Sequence, residues 1–554
     1  MDTVFVNGSV FDGASHRPGL SVGVRAGRIA AVGADLTELT GPRTEVVDLA
    51  GGLLVPGFVD AHVHPVQGGL ERARCDLSPI SGREAYLSTI TAYAAAHPEV
   101  EWILGGGWHQ PDFPGGTPLA ADLDLAVSDR PALLVNADHH GAWVNSRALE
   151  LAGVDASTPD PPDGRIERGP DGSPTGTLHE GAMELVGRLV PETTHAEQVA
   201  ALVDAQAYLH SFGITGWQDA ILGEYVGLTD ATPAYVELAR DGRLTARVVG
   251  ALWWQREFGA EQIPGLLARR EALQYERFRI ASVKIMQDGI AENFTAGMLD
   301  PYCTNSDPVP PARSGDGCGC RTGNAGLSFV DPIALREHVT SLDAAGFQVH
   351  VHAIGDRAVR EALDAFEAAR AANGDSDLRH HIAHLQVIHP DDVGRFAALG
   401  VAANMQALWA VYERQMVDLT IPFLGPERTT WQYRFGDLAR SGARLVAGSD
   451  WPVSTPDPLA AVHVAVNRRA PAEHADGEYE AFLPEQALDL ATALAAYTSG
   501  SAWVNHADDT GRIEVGALAD LAVLDRDPFT GPAEEIAAAR VQATYVEGKA
   551  VFGG

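Results

Sequence analysis

The 554-residue chain is poor in basic residues, with only two lysines, and it has only four cysteines. It has 40 basic and 74 acidic side chains, which gives a formal net charge of −34. A surface this acidic repels nucleic acids and anionic lipids, so we expect neither as a partner. The sequence also lacks an apolar run of about 18 residues and the basic-then-apolar start of a signal peptide. These absences predict a cytoplasmic protein that does not enter a membrane.

The four cysteines are too few for a disulfide framework in a chain of this length. Cys75 stands alone, whereas Cys303, Cys318 and Cys320 lie in a segment rich in glycine and proline. A Cys-x-Cys pair could bind a metal ion, but the sequence has no matching second pair. We therefore expect incidental thiols or a local disulfide in this loop.

Both ends of the chain consist of short alternating apolar runs broken by glycine. Three dipeptides stand where tight hairpin turns are expected: Asn7-Gly8, Ala26-Gly27 and Glu547-Gly548. Neither set of short strands can bury a face alone. We expect residues 1–55 and 508–554 to form one small β-sandwich together.

Between these ends, strand-like apolar runs alternate with amphipathic helical stretches, which is the pattern of a parallel α/β fold. The stretch from Asp356 to Gly374, for example, has apolar residues at helical spacing and ends in glycine. Residues 68–200 are too long for a single connection and contain apolar segments of their own. We predict a (β/α)8 TIM-type barrel over residues 56–507, with an insert at about 68–200 over its active-site face.

The first candidate site residues are His62 and His64, in the segment PGFVDAHVHP. Side chains two residues apart on a strand point to the same face, so both imidazoles can reach one metal ion. An isolated His-x-His is weak support for a metal site. Here the pair follows an apolar strand, which strengthens that interpretation.

The second candidate is Lys284, in the strand-like segment RIASVKIMQDG. The only other lysine is Lys549, against 38 arginines, so a lysine at a strand end suggests chemistry that arginine cannot perform. A lysine can lose its proton and react with CO2, and the resulting carbamate could bridge two metal ions. The alternative is a buried salt bridge, for example to Asp288.

Three further strand ends carry groups that could bind a metal ion. His350 and His352 share one face of their strand, and spacing alone does not say which of them binds. His352 lies nearer the carboxyl end, where the sites of barrel enzymes assemble. The complete candidate set is His62, His64, Lys284, His352, His384 and Asp450.

The chain resembles the amidohydrolase superfamily, and within it the YtcJ-like branch that includes N-substituted formamide deformylases. The resemblance covers nearly the whole chain and is carried by PGFVDAHVH, DHHGAWVNSRAL, PTGTLHE, VKIMQDG, VHAIGDRAV and GSDWPV. It implies a metal-dependent hydrolase that cleaves a non-peptide amide or N-substituted formamide, and it suggests a homodimer. The alternatives are a deaminase or cyclic imidate or amidine hydrolase of the same superfamily, and a non-catalytic barrel that binds a ligand.

The resemblance also implies roles for the candidate residues. One divalent metal ion, expected to be zinc, would be held by His62, His64 and Asp450, and a second by His352 and His384, with a carboxylated Lys284 between them. Asp450 would take a proton from metal-activated water and pass it to the leaving nitrogen. The branch usually reads RHRIEH where this chain reads RHHIAH, so His381 and Ala383 stand in place of an arginine and a glutamate. A partner that orients His384 could thus be missing, and either one or two ions are consistent with the sequence.

Three residues are candidates for substrate binding: Trp108, His140 and Asp288. Trp108 and His140 lie in the insert among other aromatic and histidine residues, which favours a pocket for a hydrophobic or aromatic amide. Packing of the insert against the barrel explains Trp108 and His140 equally well.

Overall fold

The structure is a computed structural model that describes residues 1–225, 228–303 and 323–553. At its centre, eight parallel strands lie side by side in the order of the sequence. This arrangement confirms the predicted TIM-type barrel. The barrel strands are β1 (Phe58–Val63), β2 (Ile214–Leu222), β3 (Arg247–Trp253), β4 (Phe278–Met286), β5 (Gln348–Ala353), β6 (His381–His384), β7 (Ala402–Met405) and β8 (Leu445–Ala447).

The loops after β1 and β8 are joined at the carboxyl end of the barrel. The backbone N–H of Asp450 donates to the carbonyl of His62 at 2.8 Å, and that of His64 donates to the carbonyl of Trp451 at 2.9 Å. These bonds bring the last strand back to the first. They also place the segments with the predicted His-x-His pair and Asp450 side by side.

Helices between the strands cover the outside of the barrel. The helix Asp356–Asn373 follows β5 as predicted, and it ends at Gly374, whose φ of 86° favours glycine. Its apolar side chains, such as Val359 and Leu363, are buried in the main hydrophobic core. The other helices of the barrel are Pro65–Ala73, His195–Ser211, Thr232–Arg240, Ile263–Ala272, Pro332–Ala344, Pro390–Leu399, Ile421–Thr429, Phe435–Arg440, Pro458–Asn467, Leu490–Ala495 and Ser501–Val504.

A separate mixed sheet lies between the first two helices of the barrel in the sequence. Its strands, in spatial order, are Gly164–Arg168, Pro174–Glu180, Gly141–Val144, Ala132–Asn136, Ile103–Trp108 and Cys75–Asp76. Four helices accompany it: Arg83–Ala96, Ala120–Ala126, Ser146–Ala152 and Glu184–Gly187. We call this region the insert. Its core contains Trp108, Phe113 and Trp143.

The two ends of the chain contribute to two further sheets. One contains Arg28–Gly33, Ser21–Arg25, Thr3–Val6 and Glu45–Asp48, in that order, and the other contains Lys549–Gly553, Val541–Val546, Leu521–Leu524, Leu53–Pro56, Ser9–Phe11 and His16–Pro18. Phe5, Leu54 and Val523 belong to one buried apolar cluster that both sheets share. We call this pair of sheets the terminal sheets. The domain boundaries at 55 and 508 stay a prediction.

Two of the three predicted hairpin turns are present. Ala26-Gly27 and Glu547-Gly548 each join paired antiparallel strands, and all four residues have positive φ. The hairpin predicted at Asn7-Gly8 was wrong, because the strands on either side of it enter different sheets.

Two predictions concern the cysteines and the membrane. Cys75 and Cys303 are buried, whereas Cys318 and Cys320 lie outside the described residues, so the predicted loop disulfide is not addressed. Among the helices of the described ranges, none combines the length and the apolar character needed to cross a membrane.

Candidate metal centre and cavity

The six candidate ligands lie in the last residues of barrel strands or in the loops that follow them. Because the strands are parallel, these positions meet at one end of the barrel. The fold therefore gathers side chains that are separated by almost 400 residues in the sequence (62 to 450).

Three of these ligands form a compact buried cluster. His62, His384 and Asp450 each offer a ligand atom, and these atoms lie within 4.8 Å of one another. Asp450 Oδ1 is 3.1 Å from His62 Nε2 and 3.0 Å from His64 Nε2. His384 Nδ1 is buried 3.8 Å from Asp450 Oδ2, and none of the described residues is hydrogen-bonded to it. A buried nitrogen that lacks a partner calls for an explanation, and a bound metal ion would provide one.

Of the remaining three candidates, His64 contacts Asp450, and Lys284 and His352 lie at the edge of this cluster. Lys284 Nζ is 3.4 Å from His62 Nε2. The ring of His352 is centred 4.4 Å from that of His384, while its Nε2 is 3.4 Å from the carbonyl of Gly289. The compact group thus pairs His62 with His384, which the resemblance had assigned to different ions.

Burial sets the protonation of these groups. It lowers the pKa of His62 to about 3, and the charge of Lys284 acts in the same direction. Burial also lowers the pKa of Lys284 to about 7. For Asp450, burial opposes ionisation, but His62 and His64 more than offset it and hold the pKa well below its usual range. Neutral imidazoles and an ionised carboxylate are the forms that bind metal ions.

The backbone holds two of the ligands in unusual conformations. His384 has a φ of 80° and Asp450 a φ of 57°, in the left-handed region that few residues other than glycine adopt. The buried carboxylate of Asp60 fixes the loop before Asp450, since it accepts hydrogen bonds from the N–H of His62 at 3.0 Å and from the hydroxyl of Ser449 at 2.5 Å. A strained backbone conformation persists only where contacts with the surrounding structure hold it in place.

A cavity of about 570 Å³ opens directly onto the cluster. One wall is aromatic, with Trp409 stacked on His384 at a centroid distance of 5.6 Å and an interplanar angle of 11°. Glu292 and Glu413 add acidic groups. The residues lining it also include His109, His140, His352, Tyr433, Asp450 and Trp451. The cavity is large enough for a small organic molecule and reaches Asp450.

His140 reaches this cavity from the insert. Its Nδ1 is 2.8 Å from Glu180 Oε2, and the hydroxyl of Thr295 donates to Glu180 Oε1 at 2.7 Å. Burial disfavours a charged imidazole here, but the carboxylate of Glu180 more than offsets it and raises the pKa of His140 to about 9. The ring lies 5.6 Å from that of His352. The insert therefore supplies a cation beside the candidate ligands.

The structure places the other two candidates for substrate binding away from the cavity lining. Trp108 is fully buried in the core of the insert, where its Nε1–H donates to the carbonyl of Leu134 at 2.8 Å. Asp288 is also fully buried, and it accepts hydrogen bonds from the N–H groups of Gly297, Ile354 and Gly355 at 2.8–3.0 Å. Their positions favour packing and loop fixation over contact with a substrate.

Several residues of the site were not singled out from the sequence. The pattern in β5 had drawn attention to His350, but nothing pointed to the buried polar side chains behind His62, namely Gln218, Gln348 and Asn404. Four more residues reach the site from loops or from the insert, where no periodic sequence pattern indicates which side chains face a site. They are Glu180, Glu292, Glu413 and Trp409.

Comparison with known proteins identifies the family. The model of the amidohydrolase family matches residues 45–552 of the chain. The chain belongs to this family. Putative amidohydrolase YtcJ of Bacillus subtilis is 28% identical over 92% of the chain and 91% of that protein, which confirms the predicted branch.

Other relatives of the amidohydrolase chain are similar over almost their full length. Protein LONG AFTER FAR-RED 3 of Arabidopsis thaliana is 33% identical over 100% of the chain and 91% of its own length. N-substituted formamide deformylase of Arthrobacter pascens is 27% identical over 95% of this chain and 93% of its own length. Among solved structures, an uncharacterized metal-dependent hydrolase of Pyrococcus horikoshii OT3 is 26% identical, with a TM-score of 0.70 over 96% of this chain and 99% of that one.

Proposed function

We propose that this amidohydrolase is a metal-dependent enzyme that cleaves the C–N bond of a small non-peptide amide or N-substituted formamide. The observation that carries the proposal is the buried group of His62, His384 and Asp450, which opens onto a cavity. In the part of the chain that the structure describes, no group is hydrogen-bonded to His384 Nδ1. The similarity to an N-substituted formamide deformylase supports the choice of bond.

The donor set fits a divalent metal ion such as zinc, which imidazole and carboxylate groups bind well. His62, His384 and Asp450 would hold it, with His64 close enough to complete the site. When bound, such an ion lowers the pKa of a coordinated water and polarises a carbonyl group. In the two-ion form of the site, Lys284 would be carboxylated by CO2, with loss of a proton, and would bridge to an ion at His352.

The protein's own residues would handle the protons and the developing charge. Asp450 is ionised and can accept a proton at a carboxylate oxygen, then donate it to the leaving nitrogen, which departs poorly as an anion. His140 is a cation whose Nδ1–H is held by Glu180, so its Nε2–H is available to donate to the carbonyl oxygen of the substrate. Trp409 and Tyr433 would pack against the acyl or amine substituent.

The first test is the metal content of the purified protein, measured by plasma mass spectrometry after preparation without chelators. We expect one or two ions per chain in the wild type and a clear loss in Lys284→Met if the carbamate bridges two ions. The matched control is Lys549→Met, since Lys549 is exposed in the terminal sheets. Labelling with 13C-bicarbonate should give a carbamate NMR signal that only Lys284→Met abolishes.

The second test separates the reaction types. The metal-loaded protein is incubated with a panel of N-substituted formamides, amides and amino-heterocycles, and formate, carboxylic acids, amines and ammonia are quantified. Release of formate or acid together with an amine supports the proposal, whereas release of ammonia from amino-heterocycles would identify a deaminase. Removal of the metal should abolish turnover and zinc should restore it. A protein that binds no metal contradicts the proposed function.

A further inference from the structure

A chain of hydrogen bonds runs through the barrel interior behind His62. His62 Nδ1 is 2.9 Å from His350 Nε2, and His350 Nδ1 is 2.7 Å from Gln218 Oε1. Gln218 in turn contacts Gln348. All four side chains are buried, and only His62 has a role in the proposed chemistry. Because some atoms in the chain can only accept, the position of every proton can be deduced.

The deduction starts at Gln348. Its Nε2 donates to the carbonyls of Arg379 at 2.9 Å and Val504 at 2.7 Å, and carbonyl oxygens only accept. The orientation of this amide is therefore determined, and its Oε1 faces Gln218. Gln218 Nε2 donates to that oxygen at 2.9 Å, so Gln218 Oε1 is turned towards His350.

A second starting point on the other side of the barrel leads to the same orientation. Asn404 Nδ2 donates to the carbonyl of Ala61 at 3.0 Å and lies 3.1 Å from His381 Nδ1, which must therefore accept. Burial holds the pKa of His381 well below its usual range, so its single proton is on Nε2. That N–H lies 3.2 Å from Gln218 Oε1. Two independent sets of contacts thus place the oxygen of Gln218 towards the histidines.

The proton positions on the next two rings follow. Gln218 Oε1 can only accept, so His350 must donate from Nδ1. The buried ring of His350 lies between this amide oxygen and another imidazole, and no carboxylate of the described residues is hydrogen-bonded to it, so the ring has one proton and its Nε2 accepts. His62 therefore donates from Nδ1. Its Nε2 is 3.1 Å from Asp450 Oδ1, and because two acceptors this close need a cation between them, Nε2 is the nitrogen open to a metal ion or, without metal, to a second proton.

We infer that His350, held by Gln218 and Gln348, is a positioning residue that keeps His62 protonated at Nδ1 and so makes Nε2 the metal-binding atom. This inference rests on the proposed metal centre. A histidine ligand needs a partner for its second ring nitrogen, and removal of such a partner typically weakens metal binding by about 10- to 100-fold. His381, where this chain departs from the pattern of its branch, provides the second donor to Gln218.

The tautomer can be measured without metal. In protein labelled with 15N-histidine, long-range 15N–1H NMR spectra distinguish an imidazole protonated at Nδ1 from one protonated at Nε2. The signals of His62 are assigned by their loss in His62→Gln. We expect the metal-free wild type to show His62 protonated at Nδ1 and His381 at Nε2. A His62 ring protonated at Nε2 and not at Nδ1 would overturn the inference.

Variants test the consequence for metal binding, measured as a zinc dissociation constant by competition with a chelator. His350→Phe keeps an aromatic ring but removes the acceptor, so we expect affinity to fall by about 10- to 100-fold. His350→Gln can present an amide oxygen to His62 Nδ1 and should recover much of that loss. The matched control is His210→Phe, because His210 is also buried, with bonds to Ile214 and Thr245, but is not connected to His62. It should leave zinc affinity unchanged.

Two outcomes separate this inference from the proposed function. Wild-type zinc affinity in a folded His350→Phe protein would overturn the inference and leave the metal centre intact. Absence of zinc binding in the wild type would contradict the metal centre, while the NMR assignment would still test the tautomer. If His350→Phe does not fold, Gln218→Leu removes the acceptor for His350 at the next step and should produce a mixture of His62 tautomers.

Discussion

The interior of the barrel and the interior of the insert are both closed to solvent, but opposite kinds of side chain fill them. Behind the candidate ligands, the barrel contains His350, His381, Gln218 and Asn404, joined by hydrogen bonds of 2.7–3.2 Å. The core of the insert packs Trp108, Phe113 and Trp143 at centroid distances of 5.2–6.3 Å.

The difference shows how each region is held in place. A buried polar group is costly unless it is hydrogen-bonded, so a polar interior is stable only when its network is complete, and the network then specifies orientation. An aromatic core depends on shape and on the area removed from water, and it tolerates no loss of volume. We therefore expect substitutions in the barrel interior to change chemistry and metal binding first. Substitutions in the insert should change stability first.

The largest expected effect is at the barrel site. Asp450→Asn keeps the shape of the side chain but cannot accept and return a proton, so kcat/KM should fall by about 10²- to 10⁴-fold. The measurement is turnover of the best formamide or amide substrate, with circular dichroism to confirm folding. Asp527→Asn is the control, because this buried carboxylate contacts His16 in the terminal sheets at 2.8 Å, and its activity should match the wild type. An active Asp450→Asn enzyme would contradict the assigned role.

A pair of tryptophan substitutions tests the contrast directly. Trp108→Ala should lower the free energy of unfolding by about 3–5 kcal/mol, because it leaves a cavity in the core of the insert, with little change in kcat/KM of the folded protein. Trp409→Ala should raise KM and leave the free energy of unfolding nearly unchanged, because Trp409 lines the cavity and stacks on His384. Urea unfolding and steady-state kinetics are measured for both. A raised KM with normal stability in Trp108→Ala would restore Trp108 as a substrate contact.

A smaller effect is expected where the barrel meets the terminal sheets. Arg247 in β3 donates to the buried carboxylate of Asp520 at 2.8 Å and also binds Glu547, at 2.5 Å. Arg247→Leu leaves Asp520 without its charged partner and should cost about 1.5–3 kcal/mol in urea unfolding. The exposed pair of Arg17 and Asp12 is the control, and Arg17→Leu should cost under about 1 kcal/mol. Equal costs would show that the junction contributes no more than a surface pair.

Periodicity and turn chemistry were enough to predict much of the fold. Alternation of strands and helices indicated the barrel, and the helix Asp356–Asn373 ends at the predicted glycine. The sequence failed where local signals are ambiguous. Asn7-Gly8 has the composition of a hairpin turn, yet its flanking strands enter different sheets, because pairing with Leu53–Pro56 and Glu45–Asp48 outweighs the local preference.

For the candidate site, too, some residues could be predicted from the sequence and others could not. Residue chemistry and the rule that barrel sites form at the carboxyl ends of strands were sufficient to select His62, His384 and Asp450, which the structure brings together. Trp108 was selected because it lies among aromatic and histidine residues of the insert in the sequence, and Asp288 because it lies close to Lys284. That nearness does not show the direction in which a side chain points, and both are buried outside the cavity lining.

By itself, the sequence determined which candidate metal ligands this amidohydrolase has, because residue type is local and strand alternation places His62 and His64 on one face. The tertiary structure alone decided how those groups are arranged. The pairing of His62 with His384, the cation that the insert places at His140, and the hydrogen-bond chain from His62 to Gln348 all join residues far apart in the sequence. Such contacts depend on the closure of the barrel and on where the insert packs, and no local pattern encodes either.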